Sequence, residues 1–469
     1  MTDLELAFTP ARHLGDLLRF KQTSSVELTQ LYLGRLERIG ARLNAVVTIM
    51  HERALAEAKA ADRDFAAGVD RGPLQGIPYG VKDLLAAQGG PTTWGAAPYK
   101  DQILDFDATV VKRLKDGGAV LAAKLAMIEL AGGMNYNQAD ASFTGPCRNP
   151  WNVDYWTGGS SSGPGAAVSA GLVPFAIGSE TDGSITNPSS YCGVTGLRPT
   201  YGRVSRHGAM ALSWSLDKLG PLCRTAMDAH FVLAGIAGAD PLDPTSIDEA
   251  YPPAIPTPKA CTFGIIKGGT DKVQPAVRDN FNAALKTMQA AGWVRSIVEI
   301  ELPKYFYDDA IAAIIAGEGG AAFRDIIEDG RVQTLSDPDG KRGGYSYFTV
   351  PAVDYVDAMR IRKPMQRDFG RLFERIDVIA APTFATVALP IDLSFDKAYP
   401  GTSDTPLISA CNLTGIPAVS VPCGFGEHGL PTGFMLVAPA RQEALLLALA
   451  VEYQRHTGWH HRIPQAALS

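Results

Sequence analysis

Positive charge is in short supply. The 43 lysines and arginines are outnumbered by 49 aspartates and glutamates, leaving a formal net charge of −6. A chain of that sign does not attract a phosphate backbone as a whole, so nucleic acid is not expected as a direct partner. Cysteine is scarce too. The six residues Cys147, Cys192, Cys223, Cys261, Cys411 and Cys423 form no C-x-x-C pair and are too few for a disulfide framework in 469 residues. A reduced, cytoplasmic setting is expected. No uncharged apolar stretch reaches the ~18 residues of a membrane span. The start, MTDLELAFTPARHLGDLL, lacks the basic residues and apolar run of an export signal. Membrane association is therefore not expected. Histidines number only eight, and His456, His460 and His461 have no neighbouring cysteine or acidic ligand pattern, so no metal site is expected.

What is present is a large apolar fraction, 46%, with 20% charged residues, enough to bury a sizeable core. Ser24 and Glu27 stand in capping-box spacing before Leu28, Tyr32, Leu36 and Ile39, which predicts an amphipathic helix. From Gly72 onward short apolar runs broken by glycine and proline alternate with helix-like pieces, the rhythm of a mixed or parallel sheet with helical crossovers. Residues 251–258, YPPAIPTP, carry four prolines and exclude helix or central strand, so a linker or insertion edge is expected there. Beyond it, strands are expected over Phe263–Lys267 and around Val298, Ile300 and Leu302. Val277, Phe281, Leu285 and Met288 mark a helix between them. IDVIAAP, AVSVPC and GFMLVAP read as buried strands and Glu443 to Tyr453 as a helix.

The most unusual stretch runs from Thr157 to Arg198 and is dominated by glycine and serine. Such a run costs backbone entropy, so it is expected where the backbone approaches a ligand or takes conformations a Cβ forbids. Val168, Leu172, Phe175 and Ile177 within it exclude a flexible linker. A phosphate loop fails because no G-K-[ST] follows. Gly159, Ser161 and Gly163 satisfy the G-x-S-x-G of a nucleophile elbow, which would make Ser161 the nucleophile of an α/β-hydrolase-type enzyme with a histidine. The preceding NVDYWT is a poor strand, and no histidine sits in an informative context. Ser215 to Lys218 offers S-x-x-K without the accompanying SDN or KTG.

Six blocks occur in order along most of the chain: GIPYGVKD around Lys82, GGSS from Gly158, GSETDGSI through Ser184, CGVTGLRPTYGRVS from Cys192, LDKLGPLCRT from Leu216 and NLTGIPAVSVPCGF from Asn412. In these the chain resembles the amidase signature family. The resemblance implies a single three-layer α/β/α domain over residues 1–469 around a large mixed sheet, with a variable substrate-loop region about 300–350. It implies catalysis without metal or organic cofactor by Lys82, Ser160 and Ser184, with the Gly159–Ser160 peptide cis. Ser161 and Gly159 support the set, Ser161 by hydrogen bonding to the lysine. Backbone N–H groups of Thr181, Asp182, Gly183 and Ser184 are the expected oxyanion hole. A serine hydroxyl needs a base to become nucleophilic. Lys82 can serve near neutral pH only if burial keeps it uncharged, and the apolar run around it suits that.

Glu180 and Asp182 depart from the commonest family pattern, and hydrogen-bonding support is favoured over a catalytic acid role for both. Thr186 and Asn187 stand where many relatives have an arginine, so a cationic clamp is missing and a neutral, hydrophobic or aryl amide or carbamate (urethane) is the expected substrate. Leu130, Ala131, Gly132, Gly133 and Met134 are expected to line one wall of the pocket, and Tyr305, Phe306, Tyr307, Tyr345, Tyr347 and Phe348 are candidates for its rim. A small-molecule substrate and a monomer or homodimer follow as the expected partners. The alternative within the family is the glutaminase subunit of a tRNA-dependent amidotransferase.

Overall fold

The structure is a computed structural model that describes residues 1–468. Eleven strands form one sheet: β1 Val46–Ile49, β2 Pro78–Lys82, β3 Val120–Leu125, β4 Phe175–Glu180, β5 Thr195–Arg198, β6 Lys218–Cys223, β7 Cys261–Ile266, β8 Val294–Ile300, β9 Val378–Pro382, β10 Ala418–Phe425 and β11 Pro431–Val437. Their spatial order is β1-β3-β2-β4-β6-β5-β10-β11-β9-β7-β8. The sheet is mixed. β2 runs parallel to β3 and β4, β7 runs parallel to β8 and β9, and the other neighbouring pairs are antiparallel.

The central strands are buried end to end because both faces are covered. Alternation decides which residue enters which layer. Phe175 and Ile177 of β4 join one apolar cluster with Tyr79, Val81 and Leu121, whereas Ala176 joins another with Val120, Ala122 and Leu125. The two edge strands are less covered: none of the four residues of β1 is fully buried, and β8, VRSIVEI, buries only Ile300. The expected first helix is Ser25–Arg35, with both halves of the Ser24/Glu27 capping box formed. Helices Pro275–Ala290 and Glu443–Arg455 also occupy their expected places.

Residues 251–258 contain no helix or strand, yet β7 and β8 beyond them extend the same sheet. The 300–350 region differs from the loop expected of it. It holds the helices Tyr307–Ala322, Arg324–Glu328 and Pro338–Tyr347. Two glycines inside the first of these helices are sites of close packing. A Cβ on Gly317 would lie 3.0 Å from the Tyr355 ring, and one on Gly320 3.1 Å from the Tyr347 Cβ. Close approach by these aromatic side chains therefore offsets the poor helix propensity of glycine.

Candidate active site

The site gathers where the parallel strands β2 and β4 end side by side, with Val81 paired to Ile177. Outside the carboxyl ends of such strands is where open α/β sheets form their functional crevices. β2 delivers Lys82 as its last residue, and β4 runs into the turn Thr181–Ser184. Between β3 and β4, the segment leading into helix Ser162–Ser169 supplies Ser160. Three separated pieces of sequence thus meet at one point.

Lys82 and Ser160 are fully buried, and Ser184 is 7% exposed. Lys82 Nζ donates to Ser160 Oγ at 2.7 Å and to Ser179 Oγ at 2.9 Å. Ser160 Oγ in turn lies 3.0 Å from Ser184 Oγ as its hydrogen-bond donor. The chain Nζ–Oγ–Oγ is continuous, and only its last member reaches the surface. The Gly159–Ser160 peptide is cis, and Gly159 N donates to Asn187 Oδ1 at 2.9 Å. Burial pulls the Lys82 amine down to about 7, although the carboxylates of Asp217 and Glu180 oppose it. Asp83, the next residue, turns the other way and pairs with Lys124 at 2.8 Å.

Ser161 does not support the lysine. Its Oγ donates to the Ser179 carbonyl at 3.1 Å and accepts from Ser179 N at 3.3 Å, which ties the helix start to β4. The lysine's second partner is the Ser179 hydroxyl, a residue of the GSETDGSI block to which the motif alone assigns no role. Alternation along β4 is the signal that could have found it, since it shares a face with Ile177, next to Val81 on β2. The nucleophile-elbow alternative fails on the same geometry. Ser161 is fully buried, and its hydroxyl meets β4 backbone rather than a histidine.

The turn after β4 is held by Glu180. Its Oε2 accepts from the backbone N–H groups of Ile185 at 2.9 Å and Thr186 at 3.0 Å, while Oε1 accepts from Arg198 at 2.8 Å and Asn412 at 3.1 Å. Burial alone would raise this carboxyl, but Arg198 and Lys218 outweigh it and hold it down at about 2. Glu180 is an ionised structural anchor. Gly183 has φ +82°, a conformation that favours glycine. Among the described residues no hydrogen bond is found from the backbone N–H groups of Thr181, Asp182, Gly183 or Ser184. Four neighbouring donors are thus free to meet an anion.

Asp182 and Gly183 border a cavity of about 300 Å³ with Gly159, Asn187, Trp156 and Asp404 also in its wall. Burial and the neighbouring Glu180 raise Asp182 to about 6, and burial raises Asp404 to about 6. No lysine, arginine or histidine lines this cavity among the described residues. Of the expected wall residues, Ala131 lines a different, second cavity. Leu130 and Met134 are packed into the core, and the glycines are covered, Gly132 by Tyr136 and Gly133 by Leu212 and Phe323. Tyr347 and Phe348 line a third cavity, beside helix Tyr307–Ala322.

A large mixed α/β/α sheet with a buried lysine, two serines in series and an open turn of backbone donors defines a class of serine acyl-transfer hydrolases acting on carbon–nitrogen bonds. The Amidase family model matches residues 27–447, and the chain belongs to that family, the amidase signature enzymes. It is 37% identical to the A subunit of glutamyl-tRNA(Gln) amidotransferase from Moorella thermoacetica, over 99% of this chain and 100% of that one. The crystal structure of the A subunit of the same amidotransferase from Thermotoga maritima superposes with a TM-score of 0.79 at 27% identity, covering 96% and 95% of the two chains. Peptide amidase from Stenotrophomonas maltophilia gives 0.86 at 28%, covering 97% and 98%.

These likenesses overturn the expected partners. Relatives that match end to end are named as one subunit of an amidotransferase for a tRNA, so the exclusion of nucleic acid and of other chains does not stand. The physical fault lies in the charge argument. A net −6 sums the whole chain, whereas contact with RNA, direct or through another protein chain, depends on one patch. No helix among the described residues is long and apolar enough to cross a membrane.

Proposed function

We propose that this chain hydrolyses a carboxamide through an acyl-enzyme on Ser184, and that it acts as the glutamine-hydrolysing subunit of a tRNA-dependent amidotransferase. The observation that carries the chemistry is the unbroken Lys82–Ser160–Ser184 chain, with neighbouring contacts of 2.7 and 3.0 Å. With Lys82 as the free amine, Ser184 Oγ attacks the amide carbon while its proton passes to Ser160 and the Ser160 proton to Lys82 Nζ. The tetrahedral oxygen, now negative, is met by the backbone donors of Thr181–Ser184. The relay then returns the proton to the amide nitrogen, the C–N bond breaks and ammonia leaves. Water repeats the path in reverse, giving the carboxylic acid and free Ser184.

End-to-end similarity to the Moorella amidotransferase chain supports the choice of glutamine. The carboxylates of Asp182 and Asp404 in the cavity wall offer acceptors for an α-ammonium. A second reading, a hydrophobic or aryl amide or carbamate without a carboxylate, is favoured by one observation, the lack of a basic side chain in that wall among the described residues. The test is ammonia release and amide transfer to glutamyl-tRNA by the chain purified with its coexpressed partner subunits, set beside a panel of aryl and aliphatic amides. Glutamine turnover supports the first reading. Turnover of the panel with indifference to glutamine overturns it. In either case Ser184→Ala should abolish turnover and labelling by a serine-directed fluorophosphonate.

A further inference from the structure

A second cavity, of about 190 Å³, shares no lining residue with the first. Its wall includes Ser179, Thr181, Asp217, Leu84, Met210 and Trp214. It therefore contacts the partner of Lys82 and the first residue of the oxyanion turn. Asp217 is an acidic group of this wall that is bonded directly to Thr181. Its Oδ1 accepts from Thr181 Oγ1 at 2.6 Å, and its Oδ2 accepts from the N–H groups of Leu212 at 2.9 Å and Ser213 at 3.0 Å. Burial raises this carboxyl above the usual aspartate range, while the donors converging on its two oxygens and the nearby Lys218 and Arg206 favour the ionised form.

We propose that Asp217 is a positioning residue for acyl transfer, clamping Thr181 so that the oxyanion turn is held at a fixed distance from Ser184. The proposal rests on reading Lys82, Ser160 and Ser184 as the reacting chain. Threonine is β-branched and stiff at χ1, so fixing its Oγ1 fixes the backbone that carries its N–H. Oxyanion donors act only when set at hydrogen-bond distance from the charged oxygen, and a small displacement forfeits most of their effect. The anchor for Asp217 is the β4–β6 pairing, in which Glu180 sits opposite Lys218, next in sequence to Asp217. The same carboxylate faces Lys82. The other groups around that amine are Glu180, then Lys218 and Arg198, which face Glu180, and the Asp83–Lys124 pair on the neighbouring strands.

The rate of fluorophosphonate labelling of Ser184, followed against pH, reads this without knowledge of the substrate. Asp217→Asn and Thr181→Val should each lower the plateau rate about tenfold or more. The double variant should be no slower than the slower single, since both break one clamp, and Thr181→Ser, which keeps the hydroxyl, should stay within about threefold of the parent. Asp217→Asn should also move the acid limb to lower pH, because a negative charge that favours the protonated lysine is gone, while Thr181→Val leaves the limb in place. Additive losses, or an unchanged plateau in Asp217→Asn, would overturn the clamp. If Asp217→Asn does not fold, the contrast between Thr181→Val and Thr181→Ser decides alone, and equal rates refute the proposal. Labelling that persists in Ser184→Ala would instead show that the underlying acyl-transfer reading is wrong.

Discussion

The pH dependence of turnover tests the role of Lys82 most directly. An ordinary lysine, with a pKa of 10.5, is a free amine in only about 1 part in 3,000 at pH 7, too little to serve as a base. Burial brings Lys82 to about 7, so half of it is free amine at that pH. The reaction needs the free amine, so kcat/KM should rise to a plateau above about pH 8 and fall tenfold per unit below 7, to about a tenth of the plateau at pH 6. Ammonia release measured from pH 5 to 9 reports this, with fluorophosphonate labelling as a substrate-independent parallel. Lys218 is also buried and also falls to about 7, so the limb must persist in Lys218→Met. Lys82→Arg separates basicity from hydrogen bonding. The guanidinium can donate to Ser160 but cannot lose its proton, and a loss of about 10²–10⁴ in kcat is expected. A limb centred above pH 9, no limb down to pH 5, or a limb that vanishes with Lys218 would each refute Lys82 as the base.

Other consequences are reachable by simpler assays. Glu180→Gln leaves Arg198 charged and fully buried without its anion, so stability by urea unfolding should drop by about 3–5 kcal/mol; a loss below about 1 kcal/mol would mean that the pair does not anchor the turn. Asn187→Ala removes the acceptor of the Gly159 N–H, a loss of about 1–3 kcal/mol, and should lower kcat more than it raises KM because Ser160 is the next residue. Lys82 also couples stability to pH. The folded chain releases this proton near 7 whereas the unfolded lysine holds it to about 10.5, so between those values the unfolded state binds more protons and stability rises with pH, by up to about 1.4 kcal/mol per unit. Lys82→Met should flatten that rise when unfolding is followed from pH 7 to 9, and an unchanged slope would contradict it.

Contiguous features of the chain could be read without its structure, and features made by packing could not. The helix at Ser25–Arg35, the buried strands β9 to β11 and the three residues Lys82, Ser160 and Ser184 all carry local marks, a cap, an apolar run or a motif. Ser179 and Asp217 lie inside the GSETDGSI and LDKLGPLCRT blocks, but nothing local in those blocks marks what the two side chains meet. They matter only because β4 lies between β2 and β6, an order created by non-local pairing. The glycine-rich run from Thr157 to Arg198 shows the same limit from the other side. Its small residues were expected where backbone approaches a ligand, and Gly159 and Gly183 do border the cavity. Others answer a different demand. A Cβ on Gly163 would stand 2.4 Å from Ala126 N and 2.5 Å from the Ala45 carbonyl oxygen, and one on Gly196 1.9 Å from Ser189 Oγ. These glycines let helices Ser162–Ser169 and Thr186–Cys192 lie almost against the backbone they cover. That close packing seats Ser160 and Ser184 within one hydrogen bond of each other. The composition of the run therefore records how the site is supported as much as what it binds, and sequence alone does not separate the two because both require the absence of a side chain.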